Sequence, residues 1–583
     1  MNASRHELTL EQLLWAGVML LAFALRFAAL GELPFSEGES LSALGALAAS
    51  GSPSPFWTTL LQNLNPFSQS LISWLFQLFG SSDAIARVPS AVAGSLLVVA
   101  PLLLRKRYGG GLALTVGFLL AVSPIMLAVS RTVGGAAFSL LGAGTAVFAL
   151  WGSPGAITRE RTIFAGLGLG LAIASGGTIY SALLALALTG IVLNRWSSSS
   201  SLRKGLDLPL FLATALASAF VLASGIGTRW TGVAGIGESF AAWLQGWSRA
   251  SLTGVIPYLA MLLTFEPMII AFGLAGALLA LLNRLSRLDQ VNALWALFAL
   301  LIGLLRVGRD GQDLIWILLP LVLLAARIIM ILITSLQEAT QWLQIIVLNG
   351  ALLILASSAG VSLVSYLEGY QLSRLGSSPP LMFILFGALL LMAGSLIFIF
   401  GMEWSWKVVL ISTAISVFGI TFSLMVQACW RLNYRLPAGG ARLAWSPTQA
   451  TDQVALLSET LTEASLFETG MTGSIALQVE SDLPPSLAWY LSDYARAGGE
   501  FTAGKTPPVT MLTPAAQTQV LLLGEYYGQT FALRTIPGPE PLLPASVVRW
   551  WVLDEGQRLT ESWTLWVRAD VAGLGESLQE IEP

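Results

Sequence analysis

The sequence has few of the side chains that bind transition metals or form cross-links. Its 583 residues include one cysteine, Cys429, and one histidine, His6. A disulfide within the chain is therefore excluded, and a zinc site of the usual histidine and cysteine type is not expected. We predict no certain cofactor, and a metal ion used by the protein would be a divalent cation held by carboxylates.

Charged residues are also scarce. They make up 11% of the chain, against about 25% in soluble domains, while hydrophobic residues make up 55%. The mean hydropathy is +0.73. These values predict an integral membrane protein. The net charge of -3 gives no indication of nucleic-acid binding.

Lys and Arg are missing altogether between Arg26 and Arg87. This stretch nevertheless contains four acidic residues: Glu32, Glu37, Glu39 and Asp83. Loops without basic residues favour the side of the membrane opposite the cytoplasm. We therefore predict a large first outer loop, at about residues 31–86, between the first two membrane spans.

Apolar runs long enough to cross the membrane recur along the first three quarters of the chain. A spanning helix needs about 20 apolar residues, and about thirteen such runs occur. They cover roughly residues 11–30, 86–104, 111–130, 136–152, 162–176, 178–194, 206–226, 254–282, 290–306, 314–335, 343–365, 380–402 and 405–427. Many are rich in Ala, Gly and Ser, which favours close helix packing.

The basic residues predict how the chain is oriented. Arg105-Lys106-Arg107 and most other clusters in short loops fall on the side of the N-terminus, as the positive-inside rule expects. The N-terminus is then cytoplasmic and the chain after the last span is extracytoplasmic. We expect a multi-pass protein of the plasma (inner) membrane. The fit has exceptions, which are Arg229, Arg249, Arg306, Arg309 and Arg374.

Two domains are predicted. Residues 1–428 form an all-α polytopic membrane bundle with surface helices in its first outer loop. Residues 429–583, where charges and Pro return, form a small extracytoplasmic α+β domain. Its predicted strands are Ile475–Val479 and Val520–Leu523, and its predicted helices are Asp452–Leu466 and Pro485–Tyr494.

The first outer loop contains an acidic segment with two interpretations. Ser36-x-x-Glu39 has the pattern of a capping box, which would use Glu39 to start a helix. A carboxylate at the membrane surface also suits a general base that deprotonates an acceptor hydroxyl. Glu37 and Glu39 are therefore candidate catalytic residues, and both interpretations stay open.

Three stretches of the N-terminal region resemble one superfamily of membrane enzymes. They are Glu39-Ser40-Leu41-Ser42-Ala43-Leu44, Arg87-Val88-Pro89-Ser90-Ala91-Val92-Ala93-Gly94 and Ala121-Val122-Ser123-Pro124 with Ser130-Arg131. They resemble the C-type membrane glycosyltransferases (GT-C), specifically glycosyltransferase family 39 with its protein O-mannosyltransferase and aminoarabinose-transferase relatives. Pro484–Tyr494 looks like a narrower branch, the flippase-activity-associated proteins. Trp489, Tyr490 and Asp493 in it are candidates to face a sugar, and for the two aromatic residues packing on the sheet is the alternative.

The resemblance implies transfer of a sugar from a polyprenyl-phosphate donor to a protein or glycan acceptor on the outer face. Glu39 matches the Glu of the family's Asp-Glu pair, whereas Gly38 stands where the Asp is expected. Asn65 lies where the narrower branch has His-Gly-Pro. Val133-Gly134-Gly135-Ala136 replaces a polar Arg-Asn-Asp.

Arginines near the outer ends of the spans are candidates for the donor phosphate. Arg131 carries the family match, and Arg306 and Arg309 flank another span. A guanidinium can bind phosphate through two hydrogen bonds, or it can simply reach the interface. Asn65, Asp83 and Arg87 are further loop candidates. Glu266, within an apolar stretch, is expected to mark a kink or a span boundary.

We therefore predict a polyprenyl-phosphate-dependent membrane glycosyltransferase that works in the lipid bilayer without nucleic acid. The alternative is a catalytically degenerate relative that assists lipid-linked sugar handling or scaffolds an envelope assembly. A secondary transporter is a third interpretation. Against it, the sequence indicates neither a repeat between halves nor paired interrupted helices.

Overall fold

The computed structural model describes most of the chain. The described residues are 9–51, 64–196, 205–251, 253–369, 379–435, 445–479, 483–498, 509–515, 526–537, 548–549, 552–553 and 558–571. The predicted strand Val520–Leu523 lies outside them.

Helices α1 to α19 follow one another in the first domain. They are α1 Leu10–Phe27, α2 Glu37–Ala49, α3 Pro66–Phe79, α4 Asp83–Val99, α5 Arg105–Tyr108, α6 Gly110–Val122, α7 Pro124–Ser130, α8 Ala136–Trp151, α9 Arg159–Ala174, α10 Ile179–Trp196, α11 Leu208–Ala223, α12 Thr231–Gln245, α13 Val255–Phe265, α14 Pro267–Leu281, α15 Arg287–Leu305, α16 Ile315–Gln337, α17 Trp342–Leu367, α18 Pro379–Glu403 and α19 Trp406–Asn433. Short 3₁₀ helices occupy Ala100–Leu104 and Gly311–Leu314.

The chain is a multi-pass membrane protein, as its composition predicts. Seven of the described helices are long and apolar enough to span a bilayer, and two bent helix pairs raise the number to nine. Every predicted span overlaps a helix or a helix pair. Shorter apolar helices account for several of the others, so the total of about thirteen spans stays a prediction.

Two of the spans are broken, and their breaks touch each other. The axes of α6 and α7 differ by 65°, and those of α13 and α14 by 95°. At the second break, the buried carboxylate of Glu266 accepts hydrogen bonds from Ser123 Oγ at 2.5 Å and from Ile125 N at 2.8 Å. Ser123 and Ile125 belong to the first break, so Glu266 ties the two together. Proline in the first turn of α7 and of α14 suits such a restart.

The expected kink at Glu266 is thus confirmed, while the expectation of no paired interrupted helices was wrong. The sequence did not indicate these breaks because each apolar run is continuous. A bend at Ser123-Pro124 or Glu266-Pro267 does not change the hydropathy of the run. The bend becomes stable only when another group satisfies the backbone groups that it frees, and the sequence does not identify that group.

The C-terminal domain is the predicted α+β unit. Helices α20 (Gln453–Thr469) and α21 (Pro485–Tyr490) accompany a six-stranded sheet in the order β1-β5-β6-β4-β2-β3. Most neighbours are antiparallel, but β2 runs parallel to β3 and to β4. The predicted strand at Ile475–Val479 and both predicted helices are present. The strands are β1 Gln449–Ala450, β2 Ala476–Val479, β3 Ala495–Gly498, β4 Thr510–Pro514, β5 Tyr526–Pro537 and β6 Arg558–Arg568.

The first outer loop and the C-terminal domain share one hydrophobic core. Phe35, Ile72 and Phe76 of the loop pack in the same cluster as Leu487 and Trp489 of the domain. Burying each large apolar side chain contributes about 1.5–3 kcal/mol. The backbone joins as well, because Ala450 N donates to the Phe35 carbonyl at 3.1 Å. The loop is therefore held between the membrane helices and the sheet.

Opposite ends of α1 contact different parts of the molecule. Near its start, Glu11 pairs with Arg105 of the basic triplet at 2.9 Å. Near its end, the Leu25 carbonyl accepts a hydrogen bond from Tyr434, which follows α19 and leads to the C-terminal domain. The basic triplet and the C-terminal domain therefore lie at opposite ends of the bundle, the arrangement that the predicted orientation requires.

Replacing Glu266 tests the link between the broken helices. In Glu266→Ala the Ser123 hydroxyl and the Ile125 N–H lose their acceptor in a buried position, at a cost of about 1–3 kcal/mol. We expect a clear fall in the midpoint of thermal unfolding, followed by tryptophan fluorescence of the detergent-purified protein. Glu266→Gln keeps a carbonyl acceptor, so its unfolding midpoint should fall less. An unchanged midpoint for Glu266→Ala would contradict the linking role.

Candidate active site

A cavity of about 150 Å³ lies where the first outer loop, the membrane helices and the C-terminal domain meet. Glu39, Arg87, Arg131 and Asp310 supply its ionisable walls, and Trp445 closes it from the side of the C-terminal domain. Two sequence candidates for one reaction, a carboxylate and a phosphate-binding arginine, thus line the same space. The sequence signal that places Glu39 is the capping box, in which Ser36 is the N-cap residue immediately before α2.

Glu39 is the capping residue that its sequence predicts, and it also forms a buried ion pair. Its role as a catalytic base stays a prediction. One oxygen, Oε2, accepts from the Ser36 backbone N and from Ser36 Oγ, both at 3.1 Å, which completes the capping box. The other, Oε1, accepts from Arg87 Nε at 2.9 Å and from Val133 N at 3.1 Å. The side chain is 3% exposed. Glu39 therefore lines the cavity and also holds α2, α4 and the chain after α7 together.

Arg87 is the buried partner of Glu39. Its Nη1 donates to the carbonyls of Leu30 and Leu33 at 3.0 and 2.7 Å, and its guanidinium stacks over the Phe35 ring at 4.7 Å. Among the described residues, Nη2 has no hydrogen-bond partner. The residue thus neutralises Glu39, closes the loop after α1 and keeps both N–H groups of Nη2 without a hydrogen bond within the described part of the chain.

Arg131 closes the C-terminal end of α1. Its Nη1 donates to the carbonyls of Leu25 and Ala28 at 3.0 and 2.6 Å, and Nη2 donates to that of Ala29 at 3.1 Å. The last carbonyls of a helix lack partners within it, and a cation there is favoured by the helix dipole. The guanidinium also lies 4.5 Å from the Tyr434 ring centre. Contact with a donor phosphate stays a prediction for Arg131.

The other two phosphate candidates lie outside the cavity lining. Arg306 pairs with Asp313 at 2.7 Å. Arg309 donates to the carbonyls of Gly303 and Leu304 at 3.1 and 3.0 Å, and so closes the end of α15 as Arg131 closes α1. Neither is among the described residues that line the cavity. Their contact with a donor phosphate stays a prediction.

Glu37 faces the C-terminal domain instead of the cavity. It forms an ion pair with Arg534 of β5, and its Oε2 accepts from Thr448 Oγ1 at 3.0 Å. Arg534 also pairs with Glu561 at 2.8 Å. Glu37 thus links the first turn of α2 to the sheet.

Asp83 receives the aromatic pair of the C-terminal motif. Trp489 Nε1 and Tyr490 Oη donate to its two carboxylate oxygens at 2.8 and 2.7 Å. Burial raises the pKa of Tyr490, so its hydroxyl stays protonated and able to donate. Trp489 also stacks on Phe35 with ring centres 5.3 Å apart. In the structure, the aromatic pair therefore serves domain docking.

Of the positions that depart from the family pattern, Gly38 precedes Glu39 and Val133 bonds to it, whereas Asn65 and Gly135 lie beside Ser175. Gly38 is exposed in the cavity wall, and a Cβ placed there meets no atom within 4 Å. Val133 donates its backbone N–H to Glu39. Asn65, in the orientation that satisfies its amide, donates to the Ser175 carbonyl at 3.1 Å. At Gly135 a Cβ would lie 1.4 Å from that same carbonyl oxygen, so close helix packing requires glycine there.

Sequence reasoning missed Asp310, which lines the cavity beside the expected residues. It lies one position after Arg309, in the acidic stretch Asp310-Gly311-Gln312-Asp313. The sequence feature that could have identified Asp310 as a candidate is its position as an acid between two spans, on the predicted outer side. Among the described residues, no group of three His, Cys, Asp or Glu side chains is placed to hold a metal ion.

Comparison with solved structures identifies the fold. ArnT from Cupriavidus metallidurans bound to undecaprenyl phosphate superposes with a TM-score of 0.54 and 15% sequence identity, covering 86% of this chain and 93% of that chain. ArnT from the same organism in the apo state gives 0.53 and 14%, with coverage of 95% and 97%. No protein-family model and no curated protein sequence matches the chain.

The chain has the GT-C fold. The likeness spans nearly the full length of both chains, so it includes the C-terminal domain as well as the membrane helices. The GT-C resemblance inferred from short sequence phrases is confirmed at the level of fold. Membership of the flippase-associated branch stays a prediction. Within this GT-C fold, the cavity lies between the outer loop and the C-terminal domain.

Arg87→Ala tests whether the buried ion pair holds the site together. Removing one partner leaves Glu39 charged, buried and under-bonded, which costs about 3–5 kcal/mol. We expect a large drop in the thermal unfolding midpoint. Arg105→Ala is the matched control, because Arg105 pairs with Glu11 at the same distance of 2.9 Å but is 58% exposed. Such pairs contribute about 0–1 kcal/mol. Equal effects of the two variants would refute the structural role.

Asp83→Ala tests domain docking. Two buried donors, on Trp489 and Tyr490, would lose their acceptor, so the C-terminal domain should separate from the loop more readily. We expect faster release of that domain by limited proteolysis. Asp570→Ala serves as the control, since Asp570 is 60% exposed and pairs with Arg568 inside the domain. Release at the wild-type rate from Asp83→Ala would argue against docking through this carboxylate.

Proposed function

We propose that the protein is a membrane glycosyltransferase that moves a sugar from a polyprenyl-phosphate donor to an acceptor hydroxyl on the outer face of the membrane. The carrying observation is the cavity itself, in which carboxylates and arginines meet at the end of the membrane bundle. The GT-C fold supports the proposal, because ArnT shares this fold and has been solved with undecaprenyl phosphate.

The arginines supply the positive side of the proposed site. Arg131 lies at the outer end of a span. Arg87 lies in the first turns of α4 and bonds to Leu30 and Leu33 at the start of the first outer loop. Both arginines line the cavity, and on each one a buried guanidinium nitrogen has no hydrogen-bond partner among the described residues, Nη2 of Arg87 and Nε of Arg131. N–H groups of this kind stabilise the negative charge that develops on a departing lipid phosphate. They therefore suit the leaving-group side of the reaction.

The carboxylates supply the other side. As the acceptor oxygen attacks the sugar's anomeric carbon, the bond from that carbon to the phosphate oxygen breaks and the lipid phosphate leaves with the electron pair. The acceptor proton goes to a carboxylate of the cavity. Glu39 and Asp310 are the described carboxylates that line it. Glu37 pairs with Arg534 instead of lining the cavity. Of the two candidates in the first outer loop, Glu39 is therefore favoured as the proton acceptor.

The predicted orientation completes the proposal. The N-terminus and the basic triplet lie on the cytoplasmic side of a plasma (inner) membrane, and the cavity lies on the extracytoplasmic side. A lipid-linked donor enters from the bilayer, while a protein or glycan acceptor reaches the cavity from the aqueous face. The opposite placement of the basic triplet and the C-terminal domain supports this arrangement.

A second candidate function has its own support. Four donors occupy the two oxygens of Glu39, and Gly38 leaves open the space that an aspartate would fill. These features suit a catalytically degenerate relative that binds a lipid-linked sugar and assists its handling. Broken helices also occur at the substrate sites of transporters. Here the breaks are joined by the buried carboxylate of Glu266 and lie within a chain that has the GT-C fold, so they do not favour a transporter.

Sugar transfer in liposomes separates the two candidates. Purified protein receives a panel of labelled polyprenyl-phosphate sugars and an acceptor extract, and Gly38→Asp is assayed beside the wild type. Turnover by the wild type supports the transferase, and it should be lost in Glu39→Gln because the cavity wall depends on that carboxylate. Gly38→Ala is the matched control, since it fills the same open space without a carboxylate.

The remaining outcomes test whether the protein is the catalytically degenerate relative. Donor binding without turnover in the wild type, with turnover gained by Gly38→Asp but not by Gly38→Ala, would identify the degenerate relative. Neither binding nor turnover for any donor would overturn both candidates.

A further inference from the structure

Asp310 differs from every other carboxylate near the cavity. It lines the cavity together with Glu39 and Arg131, and it is an exposed residue, whereas Glu39 is 3% exposed. It lies between α15 and the short 3₁₀ helix Gly311–Leu314, at the outer end of two spans. An acid in this position has direct access to a molecule bound in the cavity.

The neighbouring acids already form ion pairs with arginines. Asp313 is buried and paired with Arg306 at 2.7 Å, and Glu39 is bonded to Arg87 at 2.9 Å. Asp310 has no ion pair among the described residues. Its carboxylate accepts backbone N–H groups at the start of the 3₁₀ helix, which fixes its direction and leaves further lone pairs for an acceptor hydroxyl.

We infer that Asp310, and not Glu39, takes the proton in the reaction. This inference rests on the proposed sugar transfer. The acceptor O–H proton moves to the Asp310 carboxylate while the acceptor oxygen bonds to the anomeric carbon. The bond to the lipid phosphate breaks, and the phosphate departs with the electron pair beside Arg131 and Arg87. Glu39 is a positioning residue, because it holds Arg87 and the backbone of Val133 in the cavity wall.

The electrostatic surroundings agree with this assignment. Protein atoms crowd Asp310 although its side chain opens to the cavity, and this loss of solvation raises its pKa. A base with a raised pKa accepts a proton more readily near neutral pH. The ionisable groups nearest it are Arg306, whose charge acts against this rise, and Asp313 and Tyr258. Glu39, Arg87 and Arg131 line the same cavity.

The test compares Asp310→Asn with the wild type in the liposome assay, using the donor that the wild type turns over. Asparagine keeps the shape and can still accept the backbone N–H groups, so the fold should hold. We expect turnover to fall by about 10²–10⁴-fold, the usual contribution of a general base. Binding of undecaprenyl phosphate and the thermal midpoint should stay at wild-type values. Asp310→Glu should recover part of the rate.

The pH profile gives a second readout. In the wild type the rate should fall on the acid side as Asp310 becomes protonated, and in Asp310→Asn this fall should disappear from the residual rate. Asp452→Asn is the matched control, because Asp452 is an exposed aspartate at the start of α20 and outside the cavity lining. It should leave both the rate and the profile unchanged.

The outcomes separate this inference from the function on which it rests. Turnover by the wild type that persists in Asp310→Asn would overturn the role of Asp310 and leave the transferase standing. Turnover lost together with undecaprenyl phosphate binding or folding would also overturn it, since a base is not needed for either. No turnover by the wild type with any donor would overturn the proposed transfer and the inference together.

Discussion

The ion pair between Glu39 and Arg87 connects four segments of the chain that meet at the cavity. Removing two charges from water is costly, and a buried pair is stable only when further hydrogen bonds satisfy both groups. Here Ser36 and Val133 complete the carboxylate, and the carbonyls of Leu30 and Leu33 complete the guanidinium. The start of α2, the loop before it, the span α4 and the chain after α7 are therefore fixed relative to one another.

Arginines satisfy backbone carbonyls at the ends of other helices as well. Arg131 and Arg309 each bond the last carbonyls of a helix, and Arg26 does so for α6 through the Leu120 carbonyl at 3.0 Å. Inside a membrane protein, freed carbonyls have little water to bond. Arginine satisfies several at once, and Arg131 closes a helix end while also lining the cavity.

The C-terminal domain is part of the site's construction. Its core continues into the first outer loop, and its polar contacts engage two of the loop's acids, Asp83 and Glu37. An acidic outer loop thus serves two purposes, since some of its carboxylates bind the neighbouring domain and one faces the cavity. The sequence left capping and chemistry open for these acids, and docking to the C-terminal domain is a third role that only the tertiary structure reveals.

The sequence by itself determined the membrane class, the order of the spans, the extra α+β domain and the capping box at Ser36. Each of these depends on local composition or spacing, which tertiary contacts do not change. Tertiary structure decided which acids and arginines face the cavity. Glu37 and Glu39 are two positions apart yet point to different partners, and Asp310 reaches the cavity from about 270 residues away along the chain because packing of α15 and α16 against the bundle places it there. No local pattern records such a placement.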